Sequence, residues 1–161
     1  MAIMSLHTSA LVLVPGQQLK PLDTISGFQV RPGFFRFFGA TVIPGGVNFT
    51  IQSHGATSCE LLLFHRDAEE PFAALKFPDN YKIGFVYSMI VFGLDIEEFE
   101  YAYRLDGPYD EKKGLRFDKN KILLDPYARA VTGQSQWGCK NNPQHSYRAR
   151  VVQNNFDWGL E

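Results

Sequence analysis

The sequence predicts an all-β chain, an immunoglobulin-like antiparallel β-sandwich with an irregular C-terminal extension. Three observations carry this. Aromatic and β-branched residues recur with a period of two, runs of strand length follow one another at roughly ten-residue spacing, and Gly, Pro and Asx clusters separate them. No convincing amphipathic helix pattern interrupts them. About seven strands are therefore expected, with no helix longer than two or three turns.

Residues 1–25 are expected to form a poorly ordered extension. Their apolar run, Ala10 to Val14, is closed by Pro15-Gly16 and falls far short of the ~20 residues of a membrane span. No Lys or Arg precedes Lys20, so the basic segment of a secretory signal is missing. Residues 26–128 carry the sandwich. After the turn signal Pro44-Gly45-Gly46, Val47, Phe49 and Ile51 alternate with Asn48, Thr50 and Gln52. Asn48-Phe49-Thr50 matches a glycosylation acceptor, but it lies inside this predicted strand.

Cys59 to His65 is a short apolar run, the pattern of a strand covered on both faces, with Cys59 a buried free thiol. Phe72 to Phe77 runs into the turn Pro78-Asp79-Asn80, and Gly84 to Phe92 forms another strand. Phe99, Tyr101, Tyr103 and Leu105 then occupy one face of a strand, with Glu98, Glu100, Ala102 and Arg104 on the other. Beyond Leu105 turn chemistry takes over, and Pro126 forbids a helix through the following stretch. Residues 129–161 are read as an irregular connecting segment, polar and rich in Asn, Gln and Gly, with Trp137 and Trp158 isolated in it.

Composition removes several function classes. Lys+Arg 16 against Asp+Glu 17 gives a net charge of -1, so no bulk electrostatic pull toward nucleic acid or an anionic membrane exists. Two cysteines are too few for a disulfide framework, which suits a reducing, cytoplasmic setting. A (β/α)₈ barrel needs about 200 to 250 residues, more than the 161 present. His7, His54, His65 and His145 lack metal-ligand spacing, so neither metal nor other cofactor is expected. No nucleophile motif and no Gly-rich loop opening a helix occurs.

Two patterns remain as chemistry. Asp106, Asp110, Asp118 and Asp125 cluster in the loop-rich stretch, and paired carboxylates can hydrolyse glycosides. The simpler reading is that each organises a turn or pairs with Arg104, Arg116 or Arg129. Sugar recognition by aromatic faces is the other pattern. Strand-face aromatics fill the core, which leaves Trp137 and Tyr109, in polar surroundings, as candidate carbohydrate platforms.

A run of motifs then occurs in order: Gly45-Gly46-Val47-Asn48-Phe49, Leu61-Leu62-Leu63-Phe64, Tyr101-Ala102-Tyr103-Arg104-Leu105-Asp106-Gly107-Pro108-Tyr109-Asp110, Gly114-Leu115-Arg116-Phe117-Asp118 and Leu123-Leu124-Asp125-Pro126-Tyr127-Ala128. Arg150-Val151-Val152 and Phe156-Asp157-Trp158-Gly159 close it. Over residues 26–161 the chain resembles the N-terminal region of isoamylase-type glycogen debranching enzymes of glycoside hydrolase family 13, most specifically from Tyr101 to Ala128. The resemblance implies a module of carbohydrate-binding family 48, a sandwich that precedes a catalytic barrel. The Phe156-Asp157-Trp158 segment would lead into that barrel.

The family's catalytic carboxylates lie on barrel strands outside this chain, so the resemblance implies no catalytic residue here. It implies a parent that hydrolyses α-1,6-glucosidic linkages. The expected partners are that barrel and, weakly, an α-glucan such as glycogen. Rigid turns, aromatics and potential ion pairs suit an inter-domain contact. They mark Asp106, Gly107, Pro108, Tyr109, Arg116, Phe117, Asp118, Asp125, Pro126 and Tyr127 as docking candidates. The alternative is a standalone α-glucan-binding or regulatory module, which would have no use for a long polar tail.

Overall fold

The computed structural model describes residues 18–133 and 147–153. In chain order its strands begin with β1 (Asp23–Ile25), β2 (Phe28–Pro32), β3 (Gly39–Ile43), β4 (Gly46–Gln52), β5 (Ser58–His65) and β6 (Ala73–Lys76). They continue with β7 (Lys82–Ile83), β8 (Val86–Phe92), β9 (Phe99–Asp106), β10 (Tyr109–Asp110), β11 (Leu115–Arg116), β12 (Ala130–Thr132) and β13 (Arg148–Arg150). Single 3₁₀ turns at Asp79–Tyr81 and Glu111–Lys113 are the helical elements among the described residues. Among the described residues thirteen strands exceed the seven expected, yet those of four residues or more number seven. The surplus pieces of two or three residues are too short to show a period.

All pairings are antiparallel. One sheet has the order β1-β2-β8-β4-β3 with β7 also on β8, the other β12-β13-β9-β5-β6, and β10-β11 form a separate hairpin. The inner faces follow the period-two reading. Val47, Phe49 and Ile51 of β4 and Met89 and Val91 of β8 meet Cys59, Leu61 and Leu63 of β5 and Phe99, Tyr101 and Tyr103 of β9. Each fully buried side chain of this size contributes about 1.5–3 kcal/mol. β5 is covered on both faces: Leu62, Phe64 and Ala102 form a second cluster on the outer side, against Ile122.

Short strands occur in the described parts of both flanking segments. β1 lies inside the 1–25 stretch and pairs with β2. Within the segment read as a connection, β12 and β13 are strands of the second sheet, with Ala149 opposite Tyr101. The pattern hid β13 because its single inward apolar residue, Ala149, sits between Arg148 and Arg150. The two sheets are also tied at an edge. Ser26 and Gly27 make the β1–β2 turn with φ of 50° and 85°, the positive-φ geometry of a tight hairpin. From there Ser26 Oγ donates to the Ala74 carbonyl of β6 at 2.9 Å.

The outer face of the first sheet is polar and buried. Asn48 Oδ1 accepts from the Phe34 amide at 2.7 Å, Asn48 Nδ2 donates to Thr50 Oγ1 at 3.1 Å, and Thr50 and Ser88 hydroxyls meet at 2.6 Å. The aromatic loop Phe34–Phe38 is thereby fastened over β4 and β8. Gly33 permits it, since a Cβ there would lie 2.2 Å from Ser88 Oγ and 2.8 Å from the Met89 backbone nitrogen.

Candidate functional site

The loop-rich stretch after β9 divides into two groups. The first follows directly from the C-terminal end of β9. Asp106 Oδ1 accepts the Gly107 amide at 2.9 Å, Asp110 Oδ1 accepts Lys112 and Lys113 amides at 3.1 and 3.4 Å, and Asp118 Oδ1 accepts Asn120 at 2.9 Å. Asp118 makes an Asx turn, Asp110 caps the 3₁₀ turn Glu111–Lys113, and Asp106 holds the amide next to it. Tyr109 stands opposite Arg116 on the β10–β11 hairpin. It is 66% exposed, and its hydroxyl donates to Glu111 Oε1 at 2.9 Å. Pro108 is exposed and Phe117 half-buried. The Phe117 ring rests on Gly107, where an added Cβ would come within 2.7 Å of it.

The second group is a strap, residues 121–128, that runs back along β9. Leu123 exchanges backbone hydrogen bonds of 2.9 and 2.8 Å with Tyr103. Asp125, 1% exposed, points inward. Its Oδ2 accepts the Tyr101 hydroxyl at 2.8 Å and its Oδ1 the Tyr127 amide at 2.8 Å. The Tyr127 ring stacks on Phe38 of the aromatic loop at 4.9 Å, so the strap fastens one sheet to the other. Tyr103 Oη, buried nearby, has no hydrogen-bond partner. Pro126 and Tyr127 face outward.

Burial raises the Asp125 carboxyl above its ordinary value, with the hydrogen bonds from Tyr127 and Tyr101 opposing. A raised folded-state value means that Asp125 contributes most to stability below its unfolded-state pKa. That contribution is lost as pH rises through the folded-state pKa. The wild-type advantage over Asp125→Asn, followed by urea unfolding across pH 3 to 8, is therefore expected to shrink with rising pH, pH 3 lying below the ~3.9 of an unperturbed Asp. A pH-independent difference would show that Asp125 titrates alike folded and unfolded.

Beside the first group, on the outer face of β5 and β9, lies an open polar cleft of about 430 Å³ lined by Ser58, Glu60, Arg104, Asp106, Lys119 and Asn120. The cross-strand Glu60–Arg104 ion pair of 3.4 Å belongs to it. Sequence reading missed Glu60 and Lys119, because register alone brings residues from β5, β9 and the following loop together. A stacked His54–Phe85 pair, with ring centroids 3.6 Å apart, was also missed. Burial pushes the Cys59 thiol far up, so it is no nucleophile. Among the described residues no cluster of three or more His, Cys, Asp or Glu could hold a metal ion. No described helix is long and apolar enough to cross a membrane. Trp137 lies outside the described residues.

The sequence pattern of carbohydrate-binding module 48, the isoamylase N-terminal domain, matches residues 37–128. The chain belongs to this family. Rice isoamylase 3, a chloroplastic protein, is 33% identical over 146 residues, which cover 85% of the chain and 19% of the rice protein. A glycogen debranching enzyme of Serratia proteamaculans is 37% identical over 105 residues, covering 65% of the chain and 15% of that enzyme. The chain thus spans less than a fifth of the relatives it matches. The catalytic module of the pneumococcal glycogen-degrading factor SpuA superposes with a TM-score of 0.56 at 17% identity, over 76% of this chain and 17% of that one. Pullulanase of Paenibacillus barengoltzii superposes with 0.53 at 15% identity, over 76% and 15%. These two likenesses show the fold. In this family 48 module, β12 and β13 complete the second sheet from beyond the matched span.

Proposed function

We propose that the chain is the noncatalytic N-terminal module of an α-glucan debranching glycosidase, docking on a catalytic barrel and helping to position branched glucan there. The parent activity in this reading is hydrolysis of α-1,6-glucosidic linkages. The observation that carries it is the match to isoamylases and debranching enzymes over only 15–19% of their length. The carboxylates support it as well. Glycoside hydrolysis needs two of them flanking a substrate cleft, whereas Asp106, Asp110, Asp118 and Asp125 are each engaged by local backbone amides. Of the docking candidates, Pro108, Tyr109, Arg116, Pro126 and Tyr127 offer exposed surface, and Asp125 serves by fastening Tyr127 from within. A reducing, cytoplasmic compartment goes with this reading, supported by the buried free thiol of Cys59.

The chain alone is expected to release no reducing sugar from glycogen or pullulan. In glycogen-containing gels its mobility is expected to fall little, and equally for the wild type, Trp137→Ala and Tyr127→Ala. Strong retardation abolished by Trp137→Ala would favour a standalone glucan-binding module instead.

A further inference from the structure

We propose that Asp106 is a covalent modification site, which converts to isoaspartate in the folded chain without an enzyme. The Gly107 amide nitrogen loses its proton and attacks Asp106 Cγ. One carboxyl oxygen leaves as water, and a succinimide ring then joins Cγ to that nitrogen. A second water opens the ring. Hydrolysis at Cγ restores Asp106, whereas hydrolysis at the former main-chain carbonyl carbon leaves the chain running through Cβ and Cγ. One water leaves and one enters, so mass is unchanged, and a single carboxylate stands on each side of the reaction.

Sequence and geometry both place this reaction here. Asp106 is the one Asp followed by Gly, and no Asn is, so only here is the attacking nitrogen free of a neighbouring side chain. Packing demands that glycine, because a Cβ at 107 would lie 2.7 Å from the Phe117 ring and 3.0 Å from the Gly55 carbonyl oxygen. The strand β9 ends at Asp106, which leaves the Gly107 amide outside the ladder. Among the described residues it donates only to Asp106 Oδ1, at 2.9 Å. Nucleophile and electrophile are thus held side by side, and a turn of the carboxyl about Cβ–Cγ presents its face to the nitrogen.

The same peptide group is primed at its oxygen. The Asp106 carbonyl accepts the Thr57 amide at 2.8 Å and Thr57 Oγ1 at 3.2 Å. When the nitrogen loses its proton, charge spreads onto this oxygen, and the two donors stabilise it. Water for the second step has access, since Asp106 is half-buried and lines the open cleft. The other loop aspartates are arranged differently. Asp110 and Asp118 hold amides two or three residues on and precede Glu111 and Lys119, while Asp125 precedes Pro126, whose nitrogen carries no proton. The product lengthens the main chain by one carbon just before Gly107, which Phe117 and Gly55 already crowd. Isomerisation therefore pushes the β10–β11 hairpin off the end of the sandwich.

The test holds the 161-residue chain for weeks at neutral pH and physiological temperature, folded or in urea, before tryptic digestion. Isoaspartate at Asp106 splits the peptide Leu105–Lys112 into two species of equal mass, and electron-transfer fragmentation assigns the altered residue. The folded chain is expected to accumulate the second species at least as fast as the unfolded chain, and Asp106→Glu to accumulate none. Thr57→Val, checked for folding by circular dichroism, is expected to slow the folded chain by about two- to tenfold, the weight of one hydrogen bond. It should leave the rate in urea unchanged. The proposal is overturned if the unfolded chain splits while the folded chain does not, or if the altered residue is Asp110. It is overturned too if Thr57→Val fails to slow the folded chain.

Discussion

Alanine in place of Arg148 is expected to lower the unfolding free energy by about 3–5 kcal/mol, the range for breaking a buried ion pair from one side. Arg148 is 7% exposed and Glu100 5%. The guanidinium lies 3.8 Å from Glu100 Oε2 and 3.8 Å over the Phe64 ring, and it donates to the Ala68 and Glu69 carbonyls. Burial lowers its proton affinity, while Glu100 and the neighbouring acidic residues pull the other way. Truncation leaves a carboxylate buried without its cation and two carbonyls without donors. Adding Glu100→Leu to Arg148→Met should recover much of the loss, because a well-packed apolar pair can replace a buried ion pair. Urea unfolding measures both variants. A loss below about 1 kcal/mol for Arg148→Ala, the scale of an exposed pair, would contradict the assignment.

Gly33→Ala is the second substitution expected to be severe, at about 3 kcal/mol or more, because overpacking here cannot relax cheaply. A Cβ at this position meets Ser88 Oγ at 2.2 Å, Asn48 Oδ1 at 2.5 Å and the Met89 backbone nitrogen at 2.8 Å. A hydroxyl can rotate away, but a strand backbone cannot. The loop must therefore lift, breaking the 3.1 Å bond from the Gly33 amide to the Ser88 carbonyl and the Asn48–Phe34 contact. Ser88→Ala in the same chain should restore only part of the stability, since the Met89 contact remains. Complete rescue would show that the clash is with the side chain alone. Thermal unfolding of the single and double variants decides between these.

The long strands were legible because each is a run of strand-forming apolar residues bounded by turn signals, with clear alternation in β4 and β9. β4 and β9 kept the inward residues that the period assigns, and β5 is covered on both faces as its continuous apolar run implied. The aspartates kept their turn roles because each binds amides within three residues. What escaped depends on partners distant in sequence. Arg148 meets carbonyls 79 and 80 positions earlier, and nothing near it in the chain distinguishes it from a solvated arginine. Asp125 reads as an ordinary residue before proline. Its burial comes from Tyr101, 24 positions away. The seat of the aromatic loop Phe34–Phe38 was not legible either, because it is held by the polar trio Asn48, Thr50 and Ser88, none of which carries a hydrophobic signal.

Asn48 sets a condition on how the chain can be made. Its amide is fully enclosed, and Nδ2, the atom to which an oligosaccharide would be joined, donates to Thr50 Oγ1. Oligosaccharide transfer in a secretory compartment acts on chains that have not yet folded, and Asn48-Phe49-Thr50 satisfies the acceptor pattern. A glycan added there would occupy the space of the Phe34 loop and leave β4 unable to seat it. The native sandwich and a sugar on Asn48 are therefore mutually exclusive, so production hosts that export the chain through a glycosylating pathway are the wrong choice unless the acceptor Thr50 is replaced by a residue that still bonds Ser88.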